Sequence, residues 1–204
     1  MTGGVILAAG MSSRMQTYKP LLKIAGKEMI QWSVEHMLSG GVEQIVVVTG
    51  YNHHLLSDYI KAQWDGAVQT VFNPQYSNGK MFDSVRTGLS QIKGCEEIFL
   101  TLADMPAIAP ASYIRLKQEL KLNDKKIIIP VVNNKRCHPP LISADMIDQI
   151  LRYKGPDGLR GFWKEWSADV AELELTDQGC TMDADKREDL QQLEAHMLNQ
   201  FYIR

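Results

Sequence analysis

Short aliphatic and β-branched runs, each too brief to form a buried helix, alternate along this chain with longer stretches whose apolar residues recur at helical spacing. Gly4–Ala8, Ile45–Thr49, Val68–Phe72, Glu97–Leu102, Ile127–Val132 and Val170–Leu175 read as strands. Between and after them, Met29–Leu38, Leu55–Trp64, Met81–Ile92, Ser112–Leu122, Ser143–Leu151, Gly158–Trp166 and Asp189–Phe201 read as helices. Continuous apolar strands need cover on both faces, and alternating helices supply it. The pattern predicts a Rossmann-like, three-layer α/β/α fold with an open, mostly parallel sheet. The long loop over residues 133–140 and the late strand at Val170 predict a small antiparallel addition to that sheet.

The 204 residues, with no break in composition and no internal repeat, predict one domain over residues 1–204. Twenty-two basic against 24 acidic side chains give a net charge of −2, which provides no global attraction to nucleic acid or anionic lipid. Cys95, Cys137 and Cys180 are odd in number and lack C-x-x-C spacing, against a disulfide framework or a zinc site. Without a membrane-length apolar run or a basic leader, a cytoplasmic location is expected.

In open α/β sheets ligands bind beyond the carboxyl ends of the strands. The loop after the first strand runs Leu7-Ala8-Ala9-Gly10-Met11-Ser12-Ser13-Arg14-Met15-Gln16-Thr17-Tyr18-Lys19-Pro20-Leu21-Leu22. Its small residues let backbone N–H groups approach a phosphate; Ser12 and Ser13 add donors, Arg14 a fork and Lys19 a point charge. It lacks both G-x-x-x-x-G-K-[ST] and G-x-G-x-x-G, so neither a P-loop nor a dinucleotide site is expected. Asp104 follows the strand ending at Leu102, facing the same sheet edge. Asp183 and Asp185 form a later acidic cluster, where one of them is a candidate cap for the last helix. Asp104 with one aspartate of that cluster makes a reasonable pair for a magnesium ion shared with a triphosphate. The adjacent His53 and His54 lack a ligand spacing and are expected at the surface; Met81 is expected in the core; Trp163 and Trp166 are expected to pack on the sheet.

These segments resemble the molybdenum-cofactor nucleotidyltransferases within the MobA-like NTP transferases. The first loop matches L-A-A-G-x-S-x-R-M-G-x-x-K-P-L-L with Gln16 at the usual glycine. Asn73-Pro74 and Met81–Leu89 resemble N-P … G-M-x-x-S-x-x-x-G-L, with Lys80 interposed between Gly79 and Met81. Leu102-Ala103-Asp104-Met105-Pro106 matches without change. Cys137-His138-Pro139 resembles G-H-P, and Asp183–Leu190 resembles D-x-D-T-P-E-D-L with Lys186-Arg187 replacing Thr-Pro.

The resemblance implies the nucleotide-diphospho-sugar transferase type of fold and magnesium-dependent transfer of an NMP from an NTP to a phosphorylated acceptor, with release of pyrophosphate. It implies that Leu7, Ala8, Ala9 and Gly10 read the base, that Ser12, Arg14 and Lys19 hold the triphosphate, and that Ser84 lies near the nucleoside. Arg14, Lys19 and Asp104 would be the catalytic set, Asp104 and Asp185 the Mg2+ ligands, and His138 an acceptor contact. Ala8-Ala9 resembles the cytidylyl branch, so CTP and molybdopterin are the implied substrates and a molybdoenzyme or maturation factor the implied protein partner. Histidine beside two prolines serves equally well as a loop brace. A sugar phosphate or other alcohol phosphate as acceptor, and a nucleotide-binding module without turnover, are the competing readings.

Overall fold

The structure is a computed structural model that describes residues 1–10, 17–64 and 66–202. Among the described residues, ten strands and seven helices follow in the order β1 (Thr2–Ala8), β2 (Lys23–Ile24), β3 (Lys27–Glu28), α1 (Met29–Ser39), β4 (Gln44–Thr49), α2 (His53–Gln63), β5 (Val68–Phe72), α3 (Met81–Leu89), β6 (Glu97–Leu102), α4 (Pro110–Leu122), β7 (Ile127–Val132), β8 (Lys135–Arg136), β9 (Leu141–Ser143), α5 (Ile147–Arg152), α6 (Gly158–Glu165), β10 (Val170–Glu174) and α7 (Arg187–Tyr202). The main sheet has the order β10-β7-β9-β6-β1-β4-β5, with β8 paired to β7; β2 and β3 make a separate hairpin. None of the described helices is long and apolar enough to cross a membrane.

Strand β1 pairs in parallel with both β4 and β6, at Val5↔Val46 and Val5↔Leu100. The connections that follow β1 and β6 run toward opposite edges of the sheet, to β4 and to β7, and a crevice opens between their carboxyl ends. Side chains alternate strictly about this strand. Ile6 and Ala8 pack with Val34, Leu56, Ile60, Tyr113 and Leu116 of α1, α2 and α4, whereas Val5 and Leu7 pack with Val85, Leu89, Ile150 and Phe162 of α3, α5 and α6. Both faces of the sheet are thus covered, as a continuously apolar strand requires. Burying each of these large aliphatic or aromatic side chains contributes roughly 1.5–3 kcal/mol. A third cluster, including Ile24, Met29, Trp32, Ala107, Ala184, Leu193 and Met197, seats α7 beside the β2–β3 hairpin and α1.

The expected antiparallel addition is present in the loop over residues 133–140, where β8 pairs antiparallel with β7 at Val132↔Lys135, but the late strand does not belong to it. Strand β10 runs parallel to β7, and it is the short β9 that lies reversed between β6 and β7, at Phe99↔Leu141 and Ile128↔Leu141. Three residues, Leu141–Ser143, are too few to show a period, and the sequence pattern assigns Leu141 and Ile142 to no element. Met81 also departs from expectation. It opens α3 at 66% exposure instead of filling the core, because the buried face of that helix is carried by Ser84, Val85, Gly88 and Leu89. Trp163 and Trp166 do pack as expected, flanking Phe162 with ring centroids 5.5 and 5.6 Å away.

Helix α3 lies on β1 and β4 through Gly88. A Cβ there would press on Val5 and stand 2.8 Å from a methyl of Val48, closer than such contacts allow. Gly88→Ala is expected to lower unfolding stability by about 1–3 kcal/mol through overpacking, measured as a reduced urea midpoint with an unchanged m value.

Candidate active site

The carboxyl ends of β1 and β6 are locked together beyond the ladder by the Ala103 N–H, which donates to the Leu7 carbonyl at 3.0 Å. The chain then leaves β6 through Asp104, whose carbonyl accepts from the Ala184 N–H at 3.0 Å. That one backbone bond spans 80 positions of sequence and brings the late acidic segment to the sheet edge. It is reinforced from below by Asp177. One carboxylate oxygen accepts from the Ala109 N–H at 2.8 Å and the Ser112 hydroxyl at 2.7 Å, at the N-terminus of α4. The other accepts from the Gly179 N–H at 2.9 Å. A carboxylate at that helix end is favoured by the unpaired amides and the helix dipole.

Lys19 opens a 3-10 turn, Lys19–Leu21, and is only 8% exposed. Its Nζ donates to Asp185 Oδ1 at 2.9 Å and stands 3.5 Å from Asp104 Oδ2. The first-loop lysine and two aspartates 81 residues apart therefore converge. At the start of α7 the Asp189 carboxylate accepts from the Lys186 N–H at 2.6 Å, while Asp185 is turned to Lys19. Burial, together with the charges of Asp185, Asp104 and Asp189, raises the Asp183 carboxyl above the usual aspartate range despite the opposing pull of Lys19. Among the described residues no three His, Cys, Asp or Glu side chains stand together at metal-ligating spacing. A metal at this edge would thus take two carboxylates and complete its shell from ligand oxygens.

A cavity of about 270 Å³ opens directly above. Leu7, Ala8, Ala9, Gly10, Lys19, Ser84 and Asp104 all line it, with Tyr76, Lys80 and Met81 closing the other wall. Ser84 is fixed by Asn73, which is 2% exposed and donates from Nδ2 to the Ser84 hydroxyl oxygen at 2.9 Å. The Asn73 N–H donates to Thr49 O at 2.8 Å, and its Oδ1 accepts from the Gln75 N–H at 2.9 Å. Asn73 thus ties the end of β4, the turn carrying Tyr76 and the wall of the cavity into one unit. Ser12 and Arg14 lie outside the described residues.

A second cavity, of about 560 Å³, adjoins the first and shares Lys80 and Met81 with it. His138 lines this second cavity with Arg136, Cys137, Arg160 and Trp163. The His138 Nδ1 lies 3.3 Å from Leu100 O, and its backbone N–H donates to Cys180 O at 3.2 Å. Burial pushes its imidazole below the ordinary value, with Leu100 O and Asp104 opposing. The structure therefore makes His138 both a loop brace and a wall of the cavity. His53, expected at the surface, is half-buried instead, its Nδ1 2.6 Å from the Thr49 hydroxyl and its ring against Phe72.

Tyr76, Lys80 and the role of Asn73 were not evident from residue type alone. The signal available was positional, a turn directly following the strand at Phe72. The family model described as the MobA-like NTP transferase domain matches residues 4–170. The chain belongs to that family. Among curated members, a probable molybdenum cofactor guanylyltransferase from Natranaerobius thermophilus is 30% identical, over 86% of this chain and 82% of its own. A molybdenum cofactor cytidylyltransferase from Escherichia coli is 27% identical, over 76% and 77%. A solved nucleotidyl transferase from Methanothermobacter thermautotroptrophicus superposes with a TM-score of 0.83 at 21% identity, covering 98% of this chain and 99% of that one. Family membership makes the protein a nucleotidyltransferase and its sheet edge the place to seek the chemistry.

The imidazole of His36, under the loop carrying Pro106 and Ile108, is likewise depressed by burial. For both histidines the folded state binds a proton less readily than the unfolded chain. Stability is then complete above the ordinary imidazole value of 6.5 and falls as pH drops through it. Each contributes a slope of up to about 1.4 kcal/mol per pH unit. Urea midpoints should decline between pH 7.5 and 5.5, and His36→Gln should flatten that decline.

Proposed function

We propose that the protein is a magnesium-dependent cytidylyltransferase that moves CMP from CTP to a phosphorylated acceptor, molybdopterin being the favoured one, with release of pyrophosphate. The observation that carries this reading is the convergence of Lys19, Asp104 and Asp185 beside a cavity floored by Leu7–Gly10. Backbone from residues 7–10 reads the base, Lys19 and Arg14 neutralise the triphosphate, and Ser84 contacts the nucleoside. Support for a pyrimidine comes from Ala8 and Ala9, whose methyl groups take space that glycines would leave to a purine. The two curated relatives divide between guanylyl and cytidylyl transfer, so base choice is the point to test.

The donor set fits a hard divalent cation. Two carboxylates are held at one ammonium, a pair of hard oxygen donors at the cavity's edge. Asp104 and Asp185 would hold it, and when bound it supplies charge neutralisation at the phosphate oxygens. The remaining work falls to the chain. An acceptor phosphate is already ionised at neutral pH, so no general base has to remove a proton, and rate comes from positioning and electrostatics. Lys19 serves that end by standing, buried and fixed, where triphosphate charge must be accommodated. His138, neutral and beside the second cavity, contacts the acceptor without titrating.

In a thermal-shift screen with magnesium, CTP is expected to raise the melting temperature more than GTP, ATP or UTP, since a ligand selective for the native state stabilises it by mass action. A larger shift with GTP would reverse the base assignment. Lys19→Ala is expected to reduce pyrophosphate release by at least ~10-fold at saturating magnesium, and equal turnover would remove Lys19 from the mechanism. Strong CTP binding with no pyrophosphate released for molybdopterin or sugar phosphates would identify a non-catalytic module.

A further inference from the structure

Among the described residues, five cationic or imidazole side chains line one or other cavity, yet they differ in how their charge is already used. Lys19 is held by Asp104 and Asp185. Arg136 is paired through Nε with Glu172 at 2.6 Å. His138 is neutral, and Arg14 lies outside the described residues. Lys80 and Arg160 are both exposed, and neither has an ion-pair partner among the described residues. Of the two, Lys80 alone lines both cavities, at their junction, while Arg160 lines the second cavity from the surface of α6.

The Lys80 backbone is held firmly. Its N–H donates to Asp83 Oδ2 at 2.7 Å and its carbonyl accepts from the Asp83 N–H at 2.9 Å. That reciprocal pair fixes the residue at the start of α3 and leaves the ammonium as the only uncommitted polar group it carries. Met81, Phe82, Leu159 and Trp163 give the second cavity an apolar wall, and Asp157 adds one carboxylate on the side of α6.

Transfer from an NTP to a phosphorylated acceptor requires two anions to meet. Like charges repel more strongly at a protein surface, where the effective dielectric is lower, than in bulk water. A cation at the meeting point opposes that repulsion, and Lys80 is the uncommitted one placed there. We infer that Lys80 is a catalytic residue whose ammonium holds the attacking phosphate of the acceptor at the junction of the two cavities, while Arg160 takes a second polar or anionic group at the far end of the same acceptor. The acceptor class is accordingly a phosphomonoester with an apolar or planar body and a second hydrogen-bond-accepting end. An acceptor phosphate oxygen bonds to the α-phosphorus, the bond from that phosphorus to the bridging oxygen of the β-phosphate breaks, and pyrophosphate leaves with the electron pair. No proton transfer or redox change is needed.

This inference rests on the nucleotidyltransferase reading for its chemistry, but its binding component can be measured separately. Phenyl phosphate serves as the probe, titrated by calorimetry into the wild type and into Lys80→Met, Lys80→Arg, Arg160→Met and Lys164→Met. The last removes a positive charge from the exposed face of α6 without touching either cavity. Lys80→Met is expected to weaken phenyl phosphate binding by at least ~10-fold, with Lys80→Arg restoring much of it and Lys164→Met within about twofold of wild type. The CTP-induced thermal shift should survive in Lys80→Met, showing that the fold and the first cavity are intact. In pyrophosphate release, Lys80→Met should lower kcat as well as raise acceptor KM, whereas Arg160→Met should act through acceptor KM. Absence of phenyl phosphate binding by the wild type, or equal affinity in Lys80→Met, overturns the inference. Lys80-dependent binding of the probe without any CTP shift would instead remove the proposed function and leave Lys80 as an anion-binding residue.

Discussion

A buried ammonium shared by two carboxylates organises this molecule's sheet edge. An unpaired charge as enclosed as that of Lys19 would be strongly unfavourable, so the ammonium needs the two carboxylates more than they, partly exposed, need it. The interaction therefore holds together three distant pieces of chain: the turn after β1, the end of β6 and the segment before α7. Because the ammonium contacts Asp185 more closely than Asp104, at 2.9 against 3.5 Å, the late segment is drawn inward to the strand end. The Ala184–Asp104 backbone bond and the burial of Ala184 beside Trp32 and Met197 fix the same approach by different forces. Charge, hydrogen bonding and apolar packing agree on one geometry, and such agreement is what makes a site rigid before its ligand arrives.

Much of the sheet is legible in the sequence because its strands are continuous β-branched runs whose period-two faces are both apolar. Ile45–Thr49 and Ile127–Val132 admit hardly any other reading. Strand β9 escapes for the opposite reason: Leu141–Ser143 owes its place to being caught between β6 and β7, a tertiary effect invisible in three residues. Met81 escapes because helical spacing alone does not say which turn of a helix protrudes beyond the layer it covers. Position in the fold decides that, and α3 begins where the sheet ends.

The candidate site is legible to a similar depth. Lys19, Asp104 and Asp185 can be picked out as charged residues following strands or preceding a helix, and the fold brings them together. Which aspartate caps α7 is less accessible, since Asp183, Asp185 and Asp189 are chemically equivalent in a string of letters. Only the start of α7 at Arg187 makes Asp189 the residue at capping distance from Lys186. Asn73 illustrates a different limit. A buried amide holding a serine in place contributes nothing to charge or periodicity, so the sequence records it as an ordinary Asn-Pro turn.

The departures from the family pattern fall unevenly across this geometry. Cys137 lines the second cavity and Lys80 the junction of the two, while Leu7–Gly10, Lys19, Ser84 and Asp104, which line the first, stand as the pattern has them. A cavity wall made of strand ends and a buried ion pair admits little variation, because any change there also disturbs the β1–β6 edge. The second wall is drawn from exposed pieces, the β7–β8 hairpin, the start of α3 and the surface of α6, which can exchange side chains without unfolding the sheet. A chain built this way separates two demands: the layered core sets how a nucleotide is held, and the peripheral wall sets what is presented to it. The cation that Lys80 adds at the boundary lies where those two demands meet.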